Sequence, residues 1–450
     1  MYIQKISIQN IRSISQLEWE LAATECAGWH VLIGDNGSGK STVLRAIALA
    51  LVGPQNAYAL RQNWDEWLRR KEYDAKIVLD LVDAPDFDIF QGKGATGKKK
   101  ALKAIIKLHR TKPLDGDGYG EGRGNGYSNG SGTHFSDVSL SGDSGGSKPT
   151  TDRHVWSNGS GWFSAAYGPF RRFAGGNQEY SKLFYSYPRL AAHLSIFGED
   201  VALSEAVEWL KELRYKSLEN RLEGELLGPI TKFINQEGFL PYQAKLKEIS
   251  STGVLFTDAN ENTISVENLS DGYRSILSMT FELIRQLQIT YSNQPIFSTD
   301  GTQVILPGVV LIDEIDAHLH PTWQKRVGLW FRQHFPNIQF IVTTHSPLVC
   351  QAAEHGSVWK LPRPGTDEQC FRVQGHELER LLFGDLVEAY STHLFGMTTT
   401  RSDDSKHKIE RLAELNLKET FVGLTAYEQE EQSVLRAMLP TLAGITEATR

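Results

Sequence analysis

Cysteine is almost missing from this sequence. Only Cys26, Cys350 and Cys370 occur among 450 residues, far apart and with no C-x-x-C pair, which excludes a disulfide framework and a thiolate zinc site. Long apolar runs are missing too. No stretch reaches the ~18 uninterrupted apolar residues of a membrane span. The opening MYIQKISIQNIRSI alternates like a strand and lacks the charged start and apolar core of a secretion signal. Nor is there a surplus of positive charge: 47 Lys and Arg face 54 Asp and Glu, a net charge of -7. That argues against a generic polycation for nucleic acid and leaves only a local basic surface open. Internal repeats are absent. These absences predict a cytoplasmic protein with no membrane partner, and the length predicts two to three packed units rather than one core.

What is present is organised around Trp29 to Leu51, WHVLIGDNGSGKSTVLRAIALAL. Val31, Leu32 and Ile33 read as a buried strand. The strand breaks at Gly34 into a glycine-bearing turn, and Lys40 opens a helix with Val43, Leu44, Ile47, Ala48 and Leu51 on its apolar side. Gly34, Gly39, Lys40 and Ser41 fit G-x-x-x-x-G-K-[ST]. Glycines let successive backbone N–H groups of Gly34, Asn36, Gly37, Ser38 and Gly39 curl round a phosphate, and the helix beginning at Lys40, Ser41 and Thr42 points its positive end at the anion. Lys40 supplies a mobile charge for the terminal phosphates, and the Ser41 hydroxyl can ligate Mg²⁺. Flanked by strand and helix, the motif reads as a nucleotide cradle rather than a chance Gly/Ser turn before a lysine. No N-K-x-D guanine motif accompanies it, so ATP is favoured over GTP.

Ile3, Ile6, Ile8 and Ile11 predict a first strand, and Leu17 with Trp19 a second. Lys76 to Val82 and Ala101 to His109 predict strands of a β-rich arm inserted after the P-loop helix. The tract from about 115 to 161, beginning DGDGYGEGRGNGYSNGSG, has too few apolar residues to offset its ordering entropy and predicts a disordered insertion. Strand-like sequence resumes at Trp162. Helical periodicity follows from Leu203 to Gln236, with a break expected near Gly228-Pro229. A hairpin turning at DANEN, a helix from Asp271, and apolar strands at Val309 to Ile312 and Ile338 to Val342 complete the pattern. Strands alternating with helices round a P-loop predict an α/β fold with a mostly parallel sheet. Residues 361–450 predict a helical appendage.

Three further stretches carry chemistry. Val309 to Ile312 is an apolar strand ending in Asp313 and Glu314: Asp313 suits a Mg²⁺ contact, often through water, and Glu314 suits a base that polarises attacking water. Leu269 to Arg274, LSDGYR, places Ser270, Asp271 and Gly272 at a helix start, an ordinary capping pattern and also a place where a second phosphate could be met. Thr343-Thr344-His345-Ser346 ends the next strand and brings a histidine toward the γ-phosphate or the water.

In order, GDNGSGKST, LSDGYRS, VVLIDEIDAHLHP and TTHS resemble the motifs of ABC-type ATPases, in the soluble branch that includes the RecF, SMC, Rad50 and OLD proteins. The resemblance spans most of residues 1–360. It implies an ABC-type head with a mixed or parallel sheet, an inserted β arm, a short helical subdomain at about 201–245 and the helical region 361–450 as a docking appendage. It also implies that Lys40 and Ser41 bind phosphate and Mg²⁺, that Asp313 supports Mg²⁺, that Glu314 is the base and that His345 is the switch histidine. Ser270 and Gly272 would touch the γ-phosphate bound by a second copy, giving an ATP-sandwiched homodimer or a higher oligomer, and Asp316 would link the two sites. ISIQNIRSI resembles the branch's N-terminal NFRS strand, which would bring Arg12 toward the phosphates. The family's Q-loop glutamine has no counterpart; Tyr167-Gly168-Pro169-Phe170-Arg171-Arg172 occupies about its place.

The lysines and arginines between Lys93 and Lys112 suit either a grip on a nucleic-acid backbone or a solvated strand edge. The C-terminal region contains no acidic E…DxD nuclease cluster and resembles that of PtuA-type ATPases of Septu and retron-linked phage-defence systems, which work with a separate HNH nuclease. The expectation is an ATPase that dimerises around ATP and controls a partner nuclease. A RecF-like DNA clamp and a slow nucleotide sensor are the alternatives.

Overall fold

The computed structural model describes residues 1–84, 86–88, 102–111, 138–143, 151–156, 161–171, 187–198, 205–240, 243–250, 253–292, 294–366, 368–390, 392–395 and 403–439. The chain divides into two compact units, Met1–Gly384 and Asp385–Arg450.

The first unit is α/β and holds three sheets among its described residues. A five-stranded antiparallel sheet runs in the order β2 (Ile14–Glu20), β1 (Tyr2–Ile11), β4 (Asp74–Val82), β5 (Leu102–Arg110), β6 (Val138–Asp143). A six-stranded mixed sheet has the order β14 (Phe371–Arg372), β13 (Gly356–Lys360), β3 (Gly28–Ile33), β12 (Ile338–Thr343), β11 (Gly308–Ile312), β7 (Ser164–Tyr167). Its five strands from β13 to β7 are parallel, and only β14 is antiparallel to its neighbour. A small third sheet joins β8 (Lys245–Ser250), β9 (Gly253–Thr257) and β10 (Thr263–Ser265). The β9–β10 hairpin turns at DANEN as expected. There the Asp258 carboxylate accepts from the backbone N–H groups of Asn260 and Asn262 at 2.9 and 2.8 Å.

The P-loop helix α1 (Lys40–Val52) packs against β1, β4 and β5 of the antiparallel sheet and against β7, β11 and β12 of the mixed sheet. Sandwiched in this way it has no polar side to spare, which is why its sequence reads AIALALV. β3, β11 and β12 are buried along their whole length, as parallel strands covered on both faces must be. Trp29 on β3 fills the far side with Phe340 and Phe331, its ring 5.3 and 6.5 Å from theirs.

Buried histidines are held neutral. His30 hydrogen-bonds Ser357 Oγ at 2.8 Å and the Cys26 carbonyl at 2.9 Å, and burial pulls its pKa down to about 4. His193, bonded to the Arg189 carbonyl at 2.8 Å, is likewise pulled down to about 4 by burial. Below pH ~6.5 the unfolded chain takes up protons that these native imidazoles refuse, so stability falls as the pH drops toward 4. Denaturation midpoints at pH 7.5 and 5 should therefore differ, with the acidic one lower. His30→Gln should shrink the difference, and an unchanged gap would contradict the assignment.

Three expectations are corrected. Within the tract at 115–161, Val138–Asp143 is strand β6, paired with β5, and Asp152–Trp156 is a helical turn whose Trp156 indole donates to the Ala50 carbonyl at 2.9 Å. Val138 and Leu140, each 5 % exposed, suffice because a sheet edge is there to receive them. The rest of the tract, except Thr151 and Gly161, lies outside the described residues. The helical stretch breaks after α2 (Glu205–Leu218), ahead of Gly228-Pro229, which occupies the first turn of α3 (Leu227–Ile234), where proline's missing N–H costs nothing. The unit boundary falls after Gly384 rather than at 360, because β14 extends the main sheet and α6 (Gly375–Phe383) packs on the turn Gln351–His355.

Between β10 and β14 the first unit also holds α4 (Asp271–Thr290) and α5 (Pro321–His334). The second unit contains α7 (Asp403–Phe421) and α8 (Ala426–Met438), joined by a capping box at Thr425 and Glu428 and packed through Leu412, Leu415 and Leu435.

Candidate nucleotide site

Parallel register assembles the site. Ile312 on β11 pairs with Val342 on β12, and Val342 pairs with Val31 on β3. The residues at the ends of these three strands, Asp313, Thr343 to His345 and Gly34, therefore emerge side by side at one sheet edge, where open α/β sheets bind ligands.

The turn after β3 is a phosphate cradle in its backbone. Gly37 and Gly39 have φ of +80° and +96°, a region a side chain would strain, and Gly39 is the N-cap of α1 with no side-chain cap bond. Lys40 is buried and its ammonium donates to the carbonyls of Gly34 and Asp35 at 2.8 and 3.1 Å. Burial pulls its pKa down, while Glu314 and Asp313 oppose the shift. A cleft of about 270 Å³ opens over the loop, lined by Asn36, Gly37, Gly39, Lys40, Ser41 and Thr42, with Ser13, Glu314 and His345 on its other sides. Ser38 lies beneath, its hydroxyl buried with no partner among the described residues. His345 has its pKa lowered by burial and next by Lys40, so it is neutral near pH 7.

Asp313 and Glu314, the acids of a Walker B element at the end of β11, are clamped by the end of β12. Thr343 Oγ1 donates to Asp313 Oδ1 at 2.6 Å and accepts from the Glu314 N–H at 2.8 Å. Thr344 Oγ1 donates to Asp316 Oδ1 at 2.5 Å, and the His345 N–H reaches Asp316 Oδ2 at 3.4 Å. Glu314 has φ +46°, an uncommon conformation for a non-glycine residue that such bonds must over-determine. Ser41 and Asp313 offer a hydroxyl and a carboxylate. That small oxygen set suits Mg²⁺, which keeps waters and takes its other ligands from phosphate. When bound, the ion would neutralise charge developing on the phosphates.

The signature segment stands apart. Ser270 is the N-cap of α4, exposed, and its hydroxyl makes no cap bond. Ser270 and Gly272 are absent from the cleft lining. Gly272 lies against the loop after Walker B, where an added Cβ would come within 2.9 Å of the His318 carbonyl oxygen. Asp271 pairs with Arg274.

Arg12 departs from expectation. Its guanidinium lies over Trp67, 4.9 Å from the ring centroid, and its neighbour Ser13 lines the cleft in its place. Ile11 ends β1, and the turn through Arg12 at φ +48° directs one residue inward and the next to the indole. Ser13 was not read from the sequence, and Thr343, Thr344 and Arg171 were quoted within their motifs without the roles they have here. The tandem threonines beside a strand of the same sheet are the one local signal that could have revealed the clamp. In the basic run, Lys103 pairs with Asp80 at 3.0 Å and buried Arg110 with Asp65 at 3.1 Å, so these described members are charge-balanced. Lys93, Lys98, Lys99, Lys100 and Lys112 lie outside the described residues.

Residues 5–112 match a family model described as "AAA domain", and 137–351 match "AAA domain, putative AbiEii toxin, Type IV TA system". The chain is 42 % identical over 123 residues to the Retron Ec83 probable ATPase of Escherichia coli, covering 27 % of this chain and 22 % of that one. It is 25 % identical to the Septu protein PtuA of Bacillus mycoides over 95 % of this chain and 52 % of the relative. The chain thus spans about half the length, or less, of these curated relatives. Among solved structures, an SMC head bound to the C-terminal winged-helix domain of ScpA aligns over 83 % of this chain and 98 % of that one, at TM-score 0.48 and 14 % identity. Two AAA-domain matches, the PtuA and retron relatives, and three nucleotide motifs brought together on one sheet edge make the chain similar to ABC-type ATPases, with PtuA-like similarity along its length.

Proposed function

We propose that this protein binds and hydrolyses ATP with Mg²⁺, that two copies sandwich the nucleotide between them, and that the cycle controls a partner nuclease of the HNH type in antiphage defence. The observation that carries the reading is the separation of the signature serine from its own P-loop cleft. Lys40, Ser41, Glu314 and His345 converge on one cleft, while Ser270 stands outside it on an exposed helix start with an uncommitted hydroxyl. A site so divided is completed by another copy. In it, Lys40 meets the β- and γ-phosphates, Glu314 polarises the attacking water, and neutral His345 hydrogen-bonds the γ-phosphate or that water. Thr343 holds the base in place. PtuA-like similarity along the chain supports the defence role and, by the resemblance, the separate nuclease.

Lys40→Ala removes the buried ammonium and should weaken ATP binding by roughly 10- to 100-fold, the worth of a charge-assisted contact of about 1.5–3 kcal/mol. Titration with a fluorescent ATP analogue measures it; wild-type affinity would rule out the cleft. Co-purification with the product of a neighbouring gene tests the nuclease partner, and DNA degradation by this chain alone would sink that part.

A further inference from the structure

Arg171 lies where three separated motifs meet. It follows β7, and its side chain is among the few charged ones wholly inside the fold, 4 % exposed. Its Nε donates to Ser275 Oγ at 2.9 Å. Its Nη1 donates to the carbonyls of Gly168 and Asp313 at 2.9 and 2.8 Å, and Nη2 to that of Glu314 at 3.1 Å. Ser275 belongs to α4, just over one turn beyond Ser270. The guanidinium is a rigid planar fork, so one donor cannot move without the others. Burial draws its pKa down to about 10, with Asp313, Asp316 and Glu314 opposing, so it stays charged and has the Walker B acids as counter-ions.

Glu314 is consequently held at both ends: its N–H by Thr343 and its carbonyl by Arg171. We infer that Arg171 is a positioning residue that carries any displacement of the α4 N-terminus to Glu314, so that ATP turnover in one copy depends on what its own Ser270 touches. This rests on the proposed reading in which Ser270 meets nucleotide held by another copy. Each of two paired sites would thereby sense occupancy of the other, through one side chain per copy.

The test uses the full chain with Ser275→Ala, which removes only the hydroxyl, and Arg171→Lys, which keeps charge and loses the fork. ATP affinity and ATP-dependent pairing should stay at wild-type values in both. Turnover should fall by about tenfold or more, within the ~100-fold that a 1 Å misplacement of reacting groups can cost. The double variant should be no worse than the poorer single, because both act through one linkage. Wild-type turnover in Ser275→Ala, losses that multiply, or an affinity loss that matches the turnover loss would overturn the inference. Should Arg171→Lys fail to fold, the split between turnover and affinity in Ser275→Ala decides alone. Ser270→Arg measured in parallel separates the two levels. Normal turnover there removes the shared site itself, whereas lost turnover there with a normal Ser275→Ala removes only the Arg171 relay.

Discussion

Glu314→Gln should lower ATP hydrolysis by about 10²- to 10⁴-fold, the usual worth of a positioned general base, with ATP affinity close to wild type. The amide keeps the shape of the carboxylate and cannot take the proton. Its backbone bonds to Thr343 and Arg171 do not involve the side chain, so the loop should hold its geometry. Lys40 loses one of the three negative charges (Glu314, Asp313 and Asp35) that offset its burial, a modest change because its loop carbonyl bonds remain. ATP-bound pairs should then accumulate, visible by light scattering. Single-turnover hydrolysis at wild-type speed would remove Glu314 from its role. The same variant separates engine from sensor: if protection against phage survives it, hydrolysis is not the working step and ATP occupancy is.

Ser270→Arg should abolish turnover while leaving nucleotide binding intact. The residue is exposed at the start of α4, makes no cap bond and lies outside the cleft of its own chain, so a large cation there disturbs neither the fold nor the P-loop. It would, however, fill the space through which a second copy's nucleotide must approach. Loss of ATP-dependent pairing and of hydrolysis, with an unchanged binding isotherm, is the expected pattern. Normal turnover would show that the site is complete within one chain.

Both of these residues were visible in the sequence beforehand. The P-loop, the Walker B acids, the signature and TTHS are contiguous patterns, each readable because its chemistry is carried by residues adjacent along the chain. The strands holding them were equally readable, since apolar runs of a few residues between turn signals have few other uses. Arg171 was not. In sequence it is one of two arginines after an aromatic, and its partner Ser275 lies 104 residues away. Arg12 misled for the complementary reason. A motif placed it near phosphate, but a left-handed turn and the Trp67 face, 55 positions on, decided where its side chain went. Strand β6 escaped because two apolar residues in a polar tract signal nothing until a sheet edge exists to receive them.

The sequence by itself determined the glycine-rich P-loop between strand and helix, the paired acids after an apolar strand, and the α/β frame. Those properties follow from local chemistry and short-range periodicity. Only the tertiary structure decided that Thr343 and Thr344 lock the acids, that Arg171 joins them to the signature helix, and that Ser270 is not among the residues lining its own cleft. These depend on register between strands and on contacts across more than a hundred residues, and no local pattern encodes such distances.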